Sequence, residues 1–328
     1  MQIVVTGAAG FVGSHLCERL AALNYNVVGI DSFSDHYPVW MKERNARELA
    51  DAGVQIERLD LACDKLEGAL ADAELVFHLA AQPGIAARVP LDAYVRNNLV
   101  ATHALLEACA SCKRRPFLVN ISTSSVYGRR ATAEETAEPE PISCYGATKL
   151  AAEQLSLAYW RECRLPVCSM RLFSVYGPRE RPEKLYMKLI ISILQGEEFP
   201  LYDGSLHHKR AYTFVDDAVA GLLAVLDHRD HCVGEIFNIG ADIETTTRRG
   251  IEIVEEILGQ KARLRVLPPR PGDQAHTRAN IDKARTILGF APNTKLEDGL
   301  NTQIAWCKKL LADRICTSRD IRDTFMIL

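Results

Sequence analysis

Six short runs of almost unbroken apolar residues punctuate the first half of the chain: Ile3–Thr6, Asn26–Ile30, Val54–Leu59, Leu75–Leu79, Phe117–Ser122 and Val167–Leu172. A strand with one wet face alternates apolar with polar residues, whereas an unbroken apolar strand is covered on both faces. Segments of helical periodicity lie between the runs, as in Val12, Leu16, Leu20 and Leu23, and would supply that cover. Strand and helix in alternation predict an α/β fold built on a doubly wound parallel sheet. Ligands of such sheets sit beyond the carboxyl ends of the strands, so the residues that follow each run are the candidates for chemistry.

The first run opens into Gly7-Ala8-Ala9-Gly10-Phe11-Val12-Gly13 and then an amphipathic helix. Glycines at this G-x-x-G-x-x-G spacing let the backbone approach a pyrophosphate, and the helix N-terminus stabilises its charge. The second run ends in Asp31, eighteen residues after Gly13. A carboxylate there binds both ribose hydroxyls of NAD and repels a 2′-phosphate. No arginine immediately follows Asp31, which disfavours NADP. The first half therefore reads as a Rossmann domain holding NAD.

Tyr145-Gly146-Ala147-Thr148-Lys149 begins a further helix, and four-residue spacing puts Tyr145 and Lys149 on one face. A free phenol has a pKa near 10, so about one tyrosine in a thousand is ionised at pH 7, and bringing it to about 7 takes roughly 4 kcal/mol. The Lys149 ammonium and the positive nicotinamide ring are suitable sources. Twenty-two residues upstream of Tyr145, the fifth run delivers Thr123 at a strand end, where its hydroxyl can relay a proton between a substrate oxygen and the phenol. A Ser/Thr-rich turn can equally cap its own backbone.

After residue 173 the pattern loosens. The Pro- and Arg-rich Gly177–Pro182, a helical run at Leu185–Gln195, the segment Ala211–Asp217 and a strand-like Ile236–Gly240 follow in turn. Thr245–Thr247 offer helix caps, and Gly259 suits the helix end. We divide the chain into residues 1–173, the NAD-binding domain, and 174–328, mainly a smaller α/β substrate-binding lobe that shares elements with the first.

Composition narrows the class. Lys+Arg 39 against Asp+Glu 42 gives a net charge of −3, without the basic excess of a nucleic-acid surface. No apolar run approaches the ~18 residues of a membrane span. The chain begins at Met1 directly on a strand, leaving no room for a signal peptide, and a cytoplasmic protein is expected. Cys109 and Cys112 form a lone C-x-x-C without a second pair, so reduced thiols are expected rather than zinc ligands. Asp227–Cys232 also contains potential ligands, and a polar loop between a helix and a strand accounts for them.

Thr6–Gly13, His78-Leu79-Ala80-Ala81, Asn98, Thr123 and Tyr145-x-x-x-Lys149 together resemble the extended short-chain dehydrogenases/reductases, the group of nucleotide-sugar epimerases, dehydratases and decarboxylases. The resemblance covers nearly the whole chain. It implies bound NAD, a nucleoside-diphosphate sugar in the smaller lobe, and a homodimer through two helices per subunit. It places Asp60 and Leu61 beside the adenine, and Leu79, Ala80, Ala81 and Gln82 in the loop beneath the cofactor. Asn98 falls near the nicotinamide and Phe173 flanks its ring. Arg210 and Arg270 fall on the sugar-nucleotide pyrophosphate, which two guanidiniums can clamp bidentately.

The same resemblance narrows the reaction. The family's 4,6-dehydratases carry Asp-Glu where this chain has Ser124-Ser125, and its uronate decarboxylases carry Glu at the Ser125 position. Without either acid, the implied chemistry is oxidation and re-reduction at one carbon, a 4-epimerisation. Gly29–Val39 with Lys42, Ser122–Gly128 and Tyr176–Pro182 are similar to UDP-glucuronate 4-epimerases. That similarity puts Arg181 and Ser174 near the hexuronate carboxylate, with Ser124 and Ser125 lining the sugar site. Arg88 stands two residues after the arginine position usual in that group, and Ala211 and Asn280 each replace a common Asp. A neutral sugar such as UDP-glucose or UDP-N-acetylglucosamine stays the alternative, followed by uronate decarboxylation and a non-catalytic NAD-binding regulator.

Overall fold

The computed structural model describes residues 1–84, 89–269 and 274–313. Seven parallel strands form its central sheet: β1 (Gln2–Thr6), β2 (Asn26–Asp31), β3 (Gln55–Arg58), β4 (Ala73–His78), β5 (Phe117–Thr123), β6 (Val167–Leu172) and β7 (Ile236–Ile239). Their order is β7-β6-β5-β4-β1-β2-β3. The chain winds outward from β1 through β2 and β3, crosses over to β4 and winds out the other way. The crevice between β1 and β4 is thus the topological switch point, where ligands of open α/β sheets bind.

β1 and β5 are buried almost throughout, as unbroken apolar runs require. β3 departs from the expectation of Val54–Leu59: only Gln55–Arg58 pair, and their side chains are mostly exposed, because this strand is the sheet's edge. β4 starts at Ala73 and stops at His78 instead of running to Leu79. β7 comes from the second half of the chain and pairs with β6, so the smaller lobe contributes to the main sheet.

Four helices matter for the site. They are α1 (Phe11–Ala22), α2 (Val39–Asp51), α3 (Ala101–Ser111) and α4 (Cys144–Cys163). A π-helical turn, Val95–Val100, leads into α3. In the second half, the helix Leu185–Gln195 matches its sequence reading, and Thr246 caps Thr247–Leu258 through its hydroxyl before Gly259 ends it. Asp227–Cys232 is not a loop: it belongs to a helix, Val225–Cys232, kinked at His228 and anchored by burial of its two ends. Cys109 is buried and Cys112 half-buried, and both are free thiols.

Short strands build the rest of the second lobe. Lys209–Arg210 lies between Thr245–Thr246 and His276–Thr277, with Arg130–Ala131 beyond. Val175–Tyr176 pairs with Thr213–Phe214, and Glu198–Tyr202 with Arg263–Leu267. Arg130–Ala131 follows β5 and Val175–Tyr176 follows β6, so two of these pieces begin just past the carboxyl ends of those strands.

Candidate active site

The loop joining β1 to α1 is shaped by backbone contacts no larger residue would permit. Gly7 has φ +71°, and a Cβ on it would lie 2.9 Å from the Ala80 nitrogen. A Cβ on Gly13 would lie 2.1 Å from the Gly7 carbonyl oxygen. Gly10 caps α1 without a side-chain partner, and the first turn carries no acid. The amides of Phe11, Val12 and Gly13 therefore head an uncompensated positive helix end, the environment a pyrophosphate requires.

Asp31 ends β2 buried, accepting from Ala9 N at 3.1 Å and Phe33 N at 2.8 Å. Lys42 of α2 stands 3.8 Å from the same carboxylate and donates to Ser34 at 3.0 Å. On the other side of the switch point, Leu79–Gln82 follow β4. Thr6 fixes that loop by accepting from Ala80 N at 3.2 Å while contacting His78 Nδ1 at 2.8 Å. His78 is pushed down to about 3 by burial and by the Lys149 charge, so it is a neutral strut.

Asn98, expected near a nicotinamide, is buried on the π-helical turn Val95–Val100. Its amide is spent internally: Oδ1 accepts from Gln82 N at 2.7 Å, and Nδ2 donates to Gln82 O at 3.2 Å and Thr148 at 3.0 Å. It splints the loop after β4 to α4 from the π-helical turn, a distortion common at functional sites. Asp60 is likewise engaged, by Arg96 at 2.7 Å and by Ala62 N, and Leu61 packs into the core with Val4 and Ile30.

Ser143 caps α4 by accepting from Gly146 N at 3.1 Å, which starts the helix just before Tyr145. Burial pushes the Tyr145 phenol up, while a hydrogen bond with Thr123 and the Arg181 charge pull it down. The Arg181 guanidinium therefore bears on the phenol, a cation that helical spacing alone does not reveal. Thr123 also accepts from Ser125 N at 3.2 Å, so the hydroxyl both caps the turn Ser124–Tyr127 and faces the phenol. Ser124 and Ser125 are buried in that turn.

Lys149 is buried and pulled down to about 8 by desolvation, against the opposing charge of Glu153 one turn on. Glu153 and Arg171 form a fully buried bidentate pair, Nε–Oε2 3.0 Å and Nη2–Oε1 2.6 Å. Arg171 also donates to the Tyr127 hydroxyl at 2.7 Å, which donates to Asn238 at 2.8 Å. Removing one partner of such a pair strands a buried charge. Glu153 was legible as Lys149 plus four on one helical face, but the sequence reading passed over it.

Across the cleft, Phe173 is buried beside Tyr127, and Ser174 takes a left-handed φ of +38° while its carbonyl accepts from Thr213 N. Arg181 lies in the cleft, only 11% exposed, beside Gly84. Its Nη1 pairs with Glu183 at 2.7 Å and contacts His36 Nε2 at 3.3 Å. Glu180 instead accepts from Gln303 at 2.8 Å. Arg210 donates to the Gln274 carbonyl at 2.7 Å from its short strand. Arg270 and Arg88 lie outside the described residues. Sequence reasoning also passed over Arg179, which holds Glu18 of α1 and Glu48 of α2, each at 2.6 Å, and so ties the cofactor helices to the loop carrying Arg181.

A switch-point crevice with a glycine loop, a strand-end carboxylate and a Thr–Tyr–Lys group defines a nucleotide-cofactor enzyme acting on a small hydroxylated substrate. Residues 3–240 match the NAD dependent epimerase/dehydratase family, and the chain belongs to it. An uncharacterized UDP-glucose epimerase of Bacillus subtilis is 36% identical over 94% of this chain and 99% of its own. UDP-glucuronate 4-epimerase 1 of Arabidopsis thaliana is 34% identical over 93% of this chain and 76% of its own. The structure of UDP-glucuronic acid 4-epimerase from Bacillus cereus, in complex with UDP-glucuronic acid and NAD, superposes with a TM-score of 0.90. It is 37% identical over 94% of this chain and all of that one.

Proposed function

We propose that this chain is an NAD-dependent 4-epimerase of a UDP-sugar, acting on UDP-glucuronate to give UDP-galacturonate. The observation that carries the reading is Arg181, a guanidinium only 11% exposed beside Gly84 in the loop after β4, whose charge also bears on the Tyr145 phenol. A cation at that place suits a sugar bearing a carboxylate next to the reacting carbon. The Bacillus cereus and Arabidopsis thaliana relatives support the same substrate.

The residues fit the cofactor: Gly7, Gly10 and Gly13 leave no side chain over the α1 end, and Asp31 presents a carboxylate at the ribose position. NAD held there supplies reversible oxidation at C4. Tyr145 takes the proton from the C4 hydroxyl and returns it, with Thr123 orienting that proton and Lys149 contributing positive charge beside the ring. Phe173 and the Leu79–Gln82 loop bound the cofactor, while Ser124, Ser125 and Ser174 line the sugar. Arg210 and Arg270 hold the pyrophosphate, in a lobe made mainly of residues 174–328.

A C4 ketone turns the uronate into a β-keto acid, which loses CO₂ when its carboxylate bond aligns with the carbonyl π system. Arg181 restrains that carboxylate while the sugar turns its other face, because a guanidinium fork fixes direction as well as charge. The neutral-sugar reading has one observation in its favour, the pairing of Arg181 with Glu183. Incubation with UDP-glucuronate, UDP-glucose and UDP-N-acetylglucosamine, followed by NMR of the products, decides between them. The proposal expects UDP-galacturonate as the dominant product, and turnover of neutral sugars alone overturns it.

We further propose a cytosolic homodimer. Each of the nine described cysteines is free, and no helix of the described residues is long and apolar enough to cross a membrane. Exposed Leu91, Val95 and Val100 on the segment entering α3 support a helix-mediated contact between copies. Sedimentation at micromolar concentration tests the assembly, and a single species of monomer mass contradicts it.

A further inference from the structure

We infer that His36 is the positioning residue for Arg181, joining the cofactor loops to the sugar site and making uronate turnover depend on its own protonation. The inference rests on the UDP-glucuronate reading above. His36 lies in the loop between β2 and α2, five residues after Asp31. Its ring is half-buried and touches two other loops. Nδ1 meets the Gln82 amide nitrogen Nε2 at 2.6 Å, and Nε2 meets Arg181 Nη1 at 3.3 Å. One imidazole therefore bridges the ribose loop, the loop beneath the cofactor and the loop carrying the carboxylate anchor.

The donor inventory fixes how this bridge works. A guanidinium has no acceptor, so Nε2 is the unprotonated nitrogen and Nδ1 carries the hydrogen. This tautomer requires the Gln82 amide turned by half a turn, so that its oxygen rather than Nε2 faces Nδ1 and accepts from it. Gln82 is itself held by Asn98 through two main-chain hydrogen bonds, so the bridge rests on a rigid support. Both contacts of Arg181, to His36 and to Glu183, fall on Nη1. Among the described residues nothing pairs with its Nε–Nη2 edge, which is the bidentate fork a carboxylate needs.

Protonating His36 removes the acceptor and sets a second cation against the guanidinium. The groups facing His36 are Arg181 and Glu183 from one loop, Lys42 from α2 and Asp35 from its own loop. Burial, then Arg181 and Lys42, lower its pKa, while Glu183 and Asp35 raise it, with a net lowering. The bridge is accordingly intact at neutral pH and lost on acidification below the ordinary histidine value of about 6.5. A neutral UDP-hexose makes no use of the fork and escapes this dependence.

The test is kcat/KM against pH for UDP-glucuronate and UDP-glucose in the wild type, His36→Gln and His36→Ala, with bound NAD and melting temperature as folding controls. Glutamine keeps an acceptor for Arg181 and does not titrate. His36→Gln should hold the neutral-pH KM for UDP-glucuronate and lose the acid limb of the wild-type profile. His36→Ala should raise that KM about tenfold, the size of one lost charge-assisted hydrogen bond, with UDP-glucose little changed. Superimposable profiles in wild type and His36→Gln, with an unchanged KM in His36→Ala, overturn the role of His36 while leaving the substrate reading intact. A wild type that ignores UDP-glucuronate overturns both.

Discussion

The two walls of the cleft are built by different means. The cofactor wall is backbone: a Cβ on Gly7 or Gly13 would come within 2.9 or 2.1 Å of neighbouring main chain, and Asp31 and Asn98 are held by main-chain amides. The proposed sugar wall is side chain: Arg181 contacts His36 across 145 residues of sequence and pairs with Glu183. Backbone geometry can serve one invariant ligand. A wall of long side chains can be re-aimed by single substitutions, which suits a family whose members take different sugars.

The comparison can be broken from either side. Tyr145→Phe stands between the walls and should cost at least about 10²-fold in turnover, the usual size of acid–base catalysis, while UDP-sugar affinity stays nearly constant. Steady-state kinetics beside a binding titration check it, and near-normal turnover removes Tyr145 from the chemistry. Gly13→Ala attacks the cofactor wall. Overpacking against the Gly7 carbonyl should cost about 1–3 kcal/mol of stability and strip bound NAD, read by thermal melting and absorbance. If the variant purifies with full NAD and an unchanged melting temperature, the backbone account of this wall is wrong.

Asp31→Ala should have the smallest effect. It removes a carboxylate and leaves Lys42, 3.8 Å away, to attract a 2′-phosphate. NAD affinity should fall by about tenfold and NADP affinity rise, since one charge-assisted contact is exchanged for another. Titration of both cofactors measures the ratio. Equal preference for both in the wild type would contradict the role of Asp31.

The same contrast explains what could be read from the chain. Spacing records backbone requirements, so the glycine loop, Asp31 and the Tyr145–Lys149 face were legible before any fold was known. β6 matched its run residue for residue, because its neighbours bury both faces. β3 was overextended because an edge strand carries polar residues that periodicity does not claim. The Asn98 amide is engaged by Gln82 and Thr148, a partnership no local pattern reveals. The resemblance pointed to Arg181, but its bearing on the Tyr145 phenol and its contact with His36 are created only by the fold.

The central claim is that one side chain on the sugar wall, Arg181, decides what becomes of the substrate's carboxylate. NMR of the products formed from UDP-glucuronate by the wild type and Arg181→Ala measures this directly. The wild type should give UDP-galacturonate with its carboxylate retained. Arg181→Ala should turn over UDP-glucuronate far more slowly, with a raised fraction of decarboxylated UDP-pentose and UDP-glucose handling little affected. Normal UDP-glucuronate turnover in the variant, or equal loss on charged and neutral sugars, contradicts the account.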